Sequence, residues 1–196
     1  MQKENTILKQ NNCQVTLIES CIEMNSTSFS QLRDEIDWRK DMIKIFGKEV
    51  PIPRYHAWYA NREDLHYQYS NIKMKPNIWT KQLMSIKKIT EDITTAQFNS
   101  ALINLYETGA DYAAWHSDDE KELGKNPTIA SISLGATRSF HLRNKASGET
   151  HKVDLPHGSI LLMSGETQHL YKHQLAKTAK KVGPRINITF RNIISD

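Results

Sequence analysis

"RINITFR", residues 185 to 191, reads as a strand with two unlike faces. Arg185, Asn187, Thr189 and Arg191 alternate with Ile186, Ile188 and Phe190. A period of two sends successive side chains to opposite sides of a sheet. The apolar face asks for a core. The polar face then carries two arginines that a central strand would bury, and buried cations need anionic partners. At roughly 3.3 Å per residue their Cα atoms lie about 20 Å apart, so the side chains must lean together to share one ligand. A small dicarboxylate held between the arginines and a metal satisfies both. A solvated polar face is the alternative.

Upstream, "FNSALINLYE", "TIASISLG", "RSFHLRN", "HKVDLP" and "GSILLMSG" are short alternating or apolar runs, parted by Gly, Pro, Asn and Ser. Two helices are predicted before them. The first covers "SFSQLRDEIDWRKDMIKIF", with Ser28 and Gln31 as a capping box and Phe29, Leu32, Ile36 and Ile43 on one face. "FGKEVPIPR" breaks it, and the aromatic stretch "WYANREDLHYQYS" follows without helical period. The second begins after Pro76, with Trp79, Leu83, Ile86 and Ile93 as its buried stripe. The fold class is therefore α+β, mainly β, a jelly-roll sandwich with N-terminal buttressing helices. Residues 1–27 are polar and aperiodic and read as a loose leader to a single domain over residues 28–196.

A chain of 196 residues can bury one sizeable core. It has neither an apolar run of membrane-spanning length nor a signal-peptide core, so no membrane partner is expected. Cys13 and Cys21 are too few for a disulfide framework, which suggests a reducing, intracellular setting. The net charge of +4 is uneven: residues 167–195 hold no Asp or Glu, but carry Lys172, Lys177, Lys180, Lys181, Arg185 and Arg191. Such a segment favours phosphate-bearing partners.

"WHSDDE", residues 115 to 120, crowds three acids beside a histidine. His116 and Asp118 stand two apart, so in an extended segment they share a side and can ligate one ion. Two histidines and a carboxylate on one face are the iron set of many oxygenases. The distant histidine is His169 or His173. Their four-residue spacing would suit zinc on a helix, but the strand-rich surroundings argue against a helix, and the basic tail favours His173.

"NLYETGADYAAWHSDDE", "IASISLGATRSF", "HGSILLM", "YKHQL" and "PRINITFR" together resemble the AlkB family of iron and 2-oxoglutarate dependent dealkylating dioxygenases, from about Phe46 to Ile193. The resemblance implies a double-stranded β-helix core, with Fe(II) held by His116, Asp118 and His173. It implies that Arg185 grips the distal carboxylate of 2-oxoglutarate in a bidentate fork. Arg191 would lie near the keto end, with Asn104, Tyr106, Asn187 and Thr189 lining the pocket. O2 and 2-oxoglutarate would be consumed, and an N-methyl group on a damaged base would leave as formaldehyde.

The implied substrate is 1-methyladenine or 3-methylcytosine in DNA, with duplex favoured and single-stranded DNA or RNA as the alternative. A non-catalytic metal-containing nucleic-acid-binding module is the reading from another class. A flipped base needs stacking walls and a polar reader. By resemblance Tyr67 and Tyr69 line that pocket, in a recognition segment at about residues 45–75. Glu120, on the ligand side by parity, would accept from the base amine, and Asp119 would serve locally or toward substrate. "IFGK" resembles the apolar finger of members acting on duplex DNA. Phe46 would wedge into the stack, with Gly47 and Lys48 near the backbone. Arg54 is a further candidate phosphate contact, and Lys177, Lys180 and Lys181 are others. The segment "NKASGETHKVDL" departs from the longer loop that grips the opposite strand in vertebrate relatives. A monomer is expected, cytoplasmic in a bacterium and nuclear in a eukaryote.

Overall fold

The computed structural model describes residues 2–194 except 46, 66, 70 and 71, and the side chains among them except those of residues 43–45, 48, 67–69 and 72–74. The chain opens with strands β1 (Lys3–Gln10) and β2 (Cys13–Glu19) and helix α1 (Ser26–Glu35). Two strands, β3 (Met42–Ile45) and β4 (Lys48–Pro51), form a small hairpin ahead of β5 (Tyr55–Ala60). A second small hairpin, β6 (Tyr67–Tyr69) and β7 (Ile72–Met74), precedes helix α2 (Lys81–Thr94). Then come β8 (Ser100–Tyr106), β9 (Ala113–His116), β10 (Ile129–Gly135), β11 (Arg138–Asn144), β12 (Thr150–Leu155) and β13 (Ser159–Gly165). The short helix α3 (Thr167–Leu170) leads into β14 (Tyr171–Leu175), and β15 (Arg185–Arg191) is the last strand.

Seven strands make the larger sheet, in the order β1-β2-β13-β10-β15-β8-β5, and four make the smaller, β12-β11-β14-β9. The heptapeptide Arg185–Arg191 is a central strand. Ile188 pairs with Ile132 on one side and Ile103 on the other, and Asn187 with Ser133 and Asn104. Ile186, Ile188 and Phe190 are fully buried in the core that Leu32 of α1 and Leu83 and Ile86 of α2 complete. The helices therefore cover one face of the larger sheet. Its polar face turns toward the smaller sheet. Further along that interior, Ile129, Leu161 and Met163 meet Phe140, Leu142 and Tyr171 in a second apolar cluster.

Residues 2–19 do not form a loose leader. Asn11 and Asn12 take positive φ, 48° and 58°, between β1 and β2, the backbone that two-residue hairpin turns require and asparagine tolerates. β2 pairs with β13 from Ile18↔Ile160 to Cys13↔Gly165, and Val15 and Leu17 lie in the second cluster. The hairpin is thus part of the sandwich, and the expected boundary at residue 28 does not separate it.

The first helix is also shorter than expected. Asn25, not Ser28, caps it, accepting from the Ser28 N–H at 2.9 Å. It ends at Glu35, and Ile36 is extended with ψ 132° yet still buried. The chain leaves the helix because it has better partners. The Trp38 indole donates to the Arg33 carbonyl at 2.7 Å, and Arg39 exchanges backbone hydrogen bonds with His56 of β5. Met42–Ile45 is then a strand. The second helix agrees with expectation, with Thr80 as its cap and Leu83 and Ile86 on its buried face.

Candidate metal and cosubstrate site

The site lies between the polar face of β15 and the inner face of the smaller sheet. His173 on β14 is the direct cross-strand partner of His116 on β9, and their ring centroids are 4.3 Å apart. β9 ends at His116, and the chain turns so that Asp118 is buried. The Asp118 amide donates to Gln168 Oε1 at 3.0 Å, and its carboxylate Oδ2 accepts from Arg191 Nη2 at 2.7 Å. His116 Nδ1 lies 2.7 Å from the Ala114 carbonyl, so Nδ1 carries the proton and Nε2 presents a lone pair. One ligand atom from each of His116, Asp118 and His173 falls within 4.8 Å of the others.

The electrostatics set these groups in their ligating forms. Burial chiefly holds the His173 imidazole down, to about 3, with His116, Arg191 and Lys145 adding to this and Asp118 opposing it. Burial likewise lowers His116. Burial alone would raise Asp118, but Arg191 and both histidines outweigh it and keep the carboxylate ionised well below the usual range. At neutral pH the trio is two neutral imidazoles and one carboxylate. Asp118 Oδ1 and His173 Nδ1 are buried without a hydrogen-bond partner. An orphaned imidazole nitrogen and an orphaned carboxylate oxygen, with the His116 ring beside them, fit a divalent cation such as Fe(II).

Arg185 marks the other end of the stripe. It is 2 % exposed, donates from Nη2 to Ser133 Oγ at 2.8 Å and lies over the Tyr106 ring at 5.4 Å. Its Nε has no partner, and no carboxylate of the described residues pairs with it. Desolvation foremost, and Arg138 nearby, push its guanidinium down to about 10. Between the arginines, Asn187 Nδ2 donates to Ser131 Oγ at 2.8 Å and Thr189 Oγ1 to Asn187 Oδ1 at 3.2 Å. Asn104 and Tyr106 line the same cavity as the triad and both arginines. The geometry would take a small dianion, one carboxylate at Arg185 and the other end at the metal.

Of the remaining candidates, Arg54 and Glu120 depart from expectation, and the others among the described residues lie apart from the triad. Arg54 is not a surface phosphate contact: it is 6 % exposed, lines this cavity, and donates to Asn104 Oδ1 at 3.0 Å and the Tyr112 carbonyl at 3.2 Å. Asp119 points to solvent and pairs with Lys145 at 3.3 Å. Glu120 is half-buried beyond the end of β9, where strand parity no longer applies. His169 sits on α3 and accepts from the Asn126 amide, apart from the triad. Gly47 has φ 78° in the turn between β3 and β4. Phe46 and the side chains of Lys48, Tyr67 and Tyr69 lie outside the described residues.

Four contributors escaped the sequence reading. Gln168 positions the Asp118 amide, and Ser131 and Ser133 answer Asn187 and Arg185 across β10. The serines were findable, since "IASISLG" alternates as "RINITFR" does. Arg138, 3 % exposed, donates to the carbonyls of Thr108, Asp111 and Ala176 at 2.7–3.0 Å and gathers the loops around the cavity. Nothing in "TRSF" announces it.

Residues 17–191 match the model of the 2OG-Fe(II) oxygenase superfamily. "Alpha-ketoglutarate-dependent dioxygenase alkB homolog 3" of Homo sapiens is 42 % identical over 85 % of this chain and 60 % of its own length. That of Mus musculus is 39 % identical with the same coverage, so the chain spans about 60 % of the length of these relatives. "DNA oxidative demethylase ALKBH2" of Bos taurus is 33 % identical over 93 % of this chain and 69 % of its own. The solved structure of OsALKBH1 superposes with a TM-score of 0.66 over 91 % of this chain and 97 % of that one, at 16 % identity, a likeness of fold. With the triad and arginine stripe in place, the chain belongs to the 2OG-Fe(II) oxygenase superfamily and, within it, to the AlkB family.

Proposed function

We propose that this protein removes N-alkyl groups oxidatively from nucleic-acid bases, with 1-methyladenine and 3-methylcytosine in DNA as substrates. The observation that carries the reading is one cavity shared by a His-Asp-His ligand set and a buried guanidinium that no carboxylate among the described residues neutralises. A structural metal site would have no need of Arg185, which argues against a purely binding module. Relatives named as an α-ketoglutarate-dependent dioxygenase and as a DNA oxidative demethylase support the class of chemistry.

His116, Asp118 and His173 would hold Fe(II), and Arg185 would receive the distal carboxylate of 2-oxoglutarate. When bound, iron with 2-oxoglutarate and O2 supplies the oxidation that yields succinate, CO2 and, from the N-methyl carbon, formaldehyde. The chain's own contribution is placement. Arg191 keeps Asp118 ionised and turned toward the histidines, and Arg54 fixes the amide of Asn104 at the cavity wall. Glu120 and the recognition segment at about residues 45–75 would read the flipped base.

Formaldehyde and succinate release from a methylated oligonucleotide, with Fe(II), 2-oxoglutarate and a reductant, tests the reading. No release from a metal-loaded, folded sample sinks it. Polymer preference is a finer matter. β11 and β12 are joined by residues 145–149 alone, in a turn where Asn144 Oδ1 accepts from the amides of Ala146 and Ser147. So short a connection offers little to grip an opposing strand, which favours single-stranded DNA or RNA as the second reading. Parallel assays on duplex and single-stranded oligomers decide between them.

A further inference from the structure

The outer face of the smaller sheet carries charge that the chemistry above does not use. Phe140 and Leu142 of β11 turn into the apolar interior, so His141 and Arg143 turn outward. There the Arg143 guanidinium lies 4.2 Å from the Trp115 ring centroid, and the His141 ring is 6.3 Å from the same indole. Arg143 is paired directly with Lys172 on β14, and Lys152 is exposed on β12 beside them. Like charges directly opposite on one sheet face are destabilising. Among the described residues no carboxylate forms an ion pair with Arg143, Lys152 or Lys172. Asp154 is the acid on this face, and it lies toward Ser139 at the far end of the sheet.

The position of the face matters as much as its charge. Trp115 and Lys172 each precede a metal-ligand candidate, His116 and His173, so face and site lie on opposite sides of the same two strands. β9 is an edge strand of its sheet. A chain whose base enters at His116 has only this edge strand to round before it meets Trp115.

We propose that Trp115, Arg143, Lys152 and Lys172 on the outer face of the smaller sheet bind the phosphodiester backbone of the nucleic-acid strand that flanks the target base. Arg143 and Lys172 take phosphates, and the indole holds the guanidinium flat and offers an edge for a neighbouring base. This rests on the proposed function for the identity of the polymer, but the surface can be tested without turnover.

The test uses the full chain, a fluorescent single-stranded 15-mer and a trinucleotide, both with one 1-methyladenine. The pair Arg143→Glu and Lys172→Glu should weaken 15-mer binding at least about tenfold at low salt. It should also reduce the slope of log affinity against log salt by roughly 1.4, at ~0.7 per phosphate contact on single strands. Trinucleotide turnover should stay within twofold. A control pair on edge strand β1, Lys3→Glu and Lys9→Glu, makes the same charge change and should leave both nearly as they were. The neutral pair Arg143→Gln and Lys172→Gln guards against misfolding and should show an intermediate loss.

Equal loss on both substrates, a control as damaging as the test pair, or unchanged 15-mer affinity would each overturn the surface. If the wild type releases formaldehyde while the variants bind normally, the surface fails and the function stands. If the wild type binds the 15-mer without turnover and the variants do not bind, the reverse holds.

Discussion

The two ends of the polar stripe on β15 are opposite solutions to burying an arginine. Arg191 is neutralised from within, 2.7 Å from Asp118, and its partner is a metal-ligand candidate. Arg185 is equally buried, but is met by a serine hydroxyl and a tyrosine ring, and by no carboxylate among the described residues. A buried cation without a counter-charge costs stability unless a ligand brings one. The metal end is therefore preformed by the protein, whereas the Arg185 end is the one that an anion from outside would complete.

That contrast can be broken most severely at the metal. His173→Ala should abolish formaldehyde release and iron retention, whereas His169→Ala should keep turnover within about twofold, as a surface change does. The reverse pattern, measured by metal content and formaldehyde assay, would reassign the third ligand. Next, the arginines should part company in stability. Arg191→Met strands the Asp118 charge and should cost about 3–5 kcal/mol in chemical denaturation. Arg185→Met removes an uncompensated charge, so the apoprotein should be no less stable. It should, however, lose the gain that 2-oxoglutarate confers on the wild type, about 2.7 kcal/mol at a hundredfold excess over Kd. Equal destabilisation by both substitutions would erase the distinction.

A milder probe is pH. His56 is 1 % exposed with its Nε2 3.0 Å from Asp41, and burial, only partly opposed by Asp41, lowers its imidazole; His173 is lowered too, to about 3. Both are neutral in the folded protein when an unfolded histidine, near 6.5, gains its proton. Stability is thus fully present above about pH 6.5 and is lost as pH falls toward the folded values, by up to ~1.4 kcal/mol per unit and residue. Denaturation at pH 7 and pH 5 should show the fall, and a flat profile would refute the buried neutral state. Smallest in scale, Phe46→Ala should impair turnover on duplex more than on single strands if the residue wedges into the stack.

The central strand was legible because its two faces obey different rules in one heptapeptide. Five further strands followed from similar alternation or apolar runs, and the candidate ligands His116 and Asp118 from their spacing. The terminal hairpin was missed although Asn11 and Asn12 are a turn signal, because the polar residues around them hide the alternation of Val15 and Leu17. The end of α1 was invisible for another reason: Trp38 and Arg39 find their hydrogen bonds with Arg33 and His56, and the distant partner is not encoded locally. Arg54 and Arg138 were illegible as cavity residues because their partners are backbone carbonyls and Asn104, contacts that leave no pattern in the chain.

One consequence follows from β9 lying at the rim of its sheet, bonded to β14 alone. Backbone hydrogen bonds tie it from one side, and its register with β14 shifts between His173 and Leu175. An ion shared by His116 and His173 would act as a clasp across that seam, fastening the outermost strand by its side chains. Metal loading should then slow amide exchange at Ala113–His116 more than at β15, which is already laced on both flanks. Occupancy of the metal site and the fastening of this edge strand should then rise and fall together.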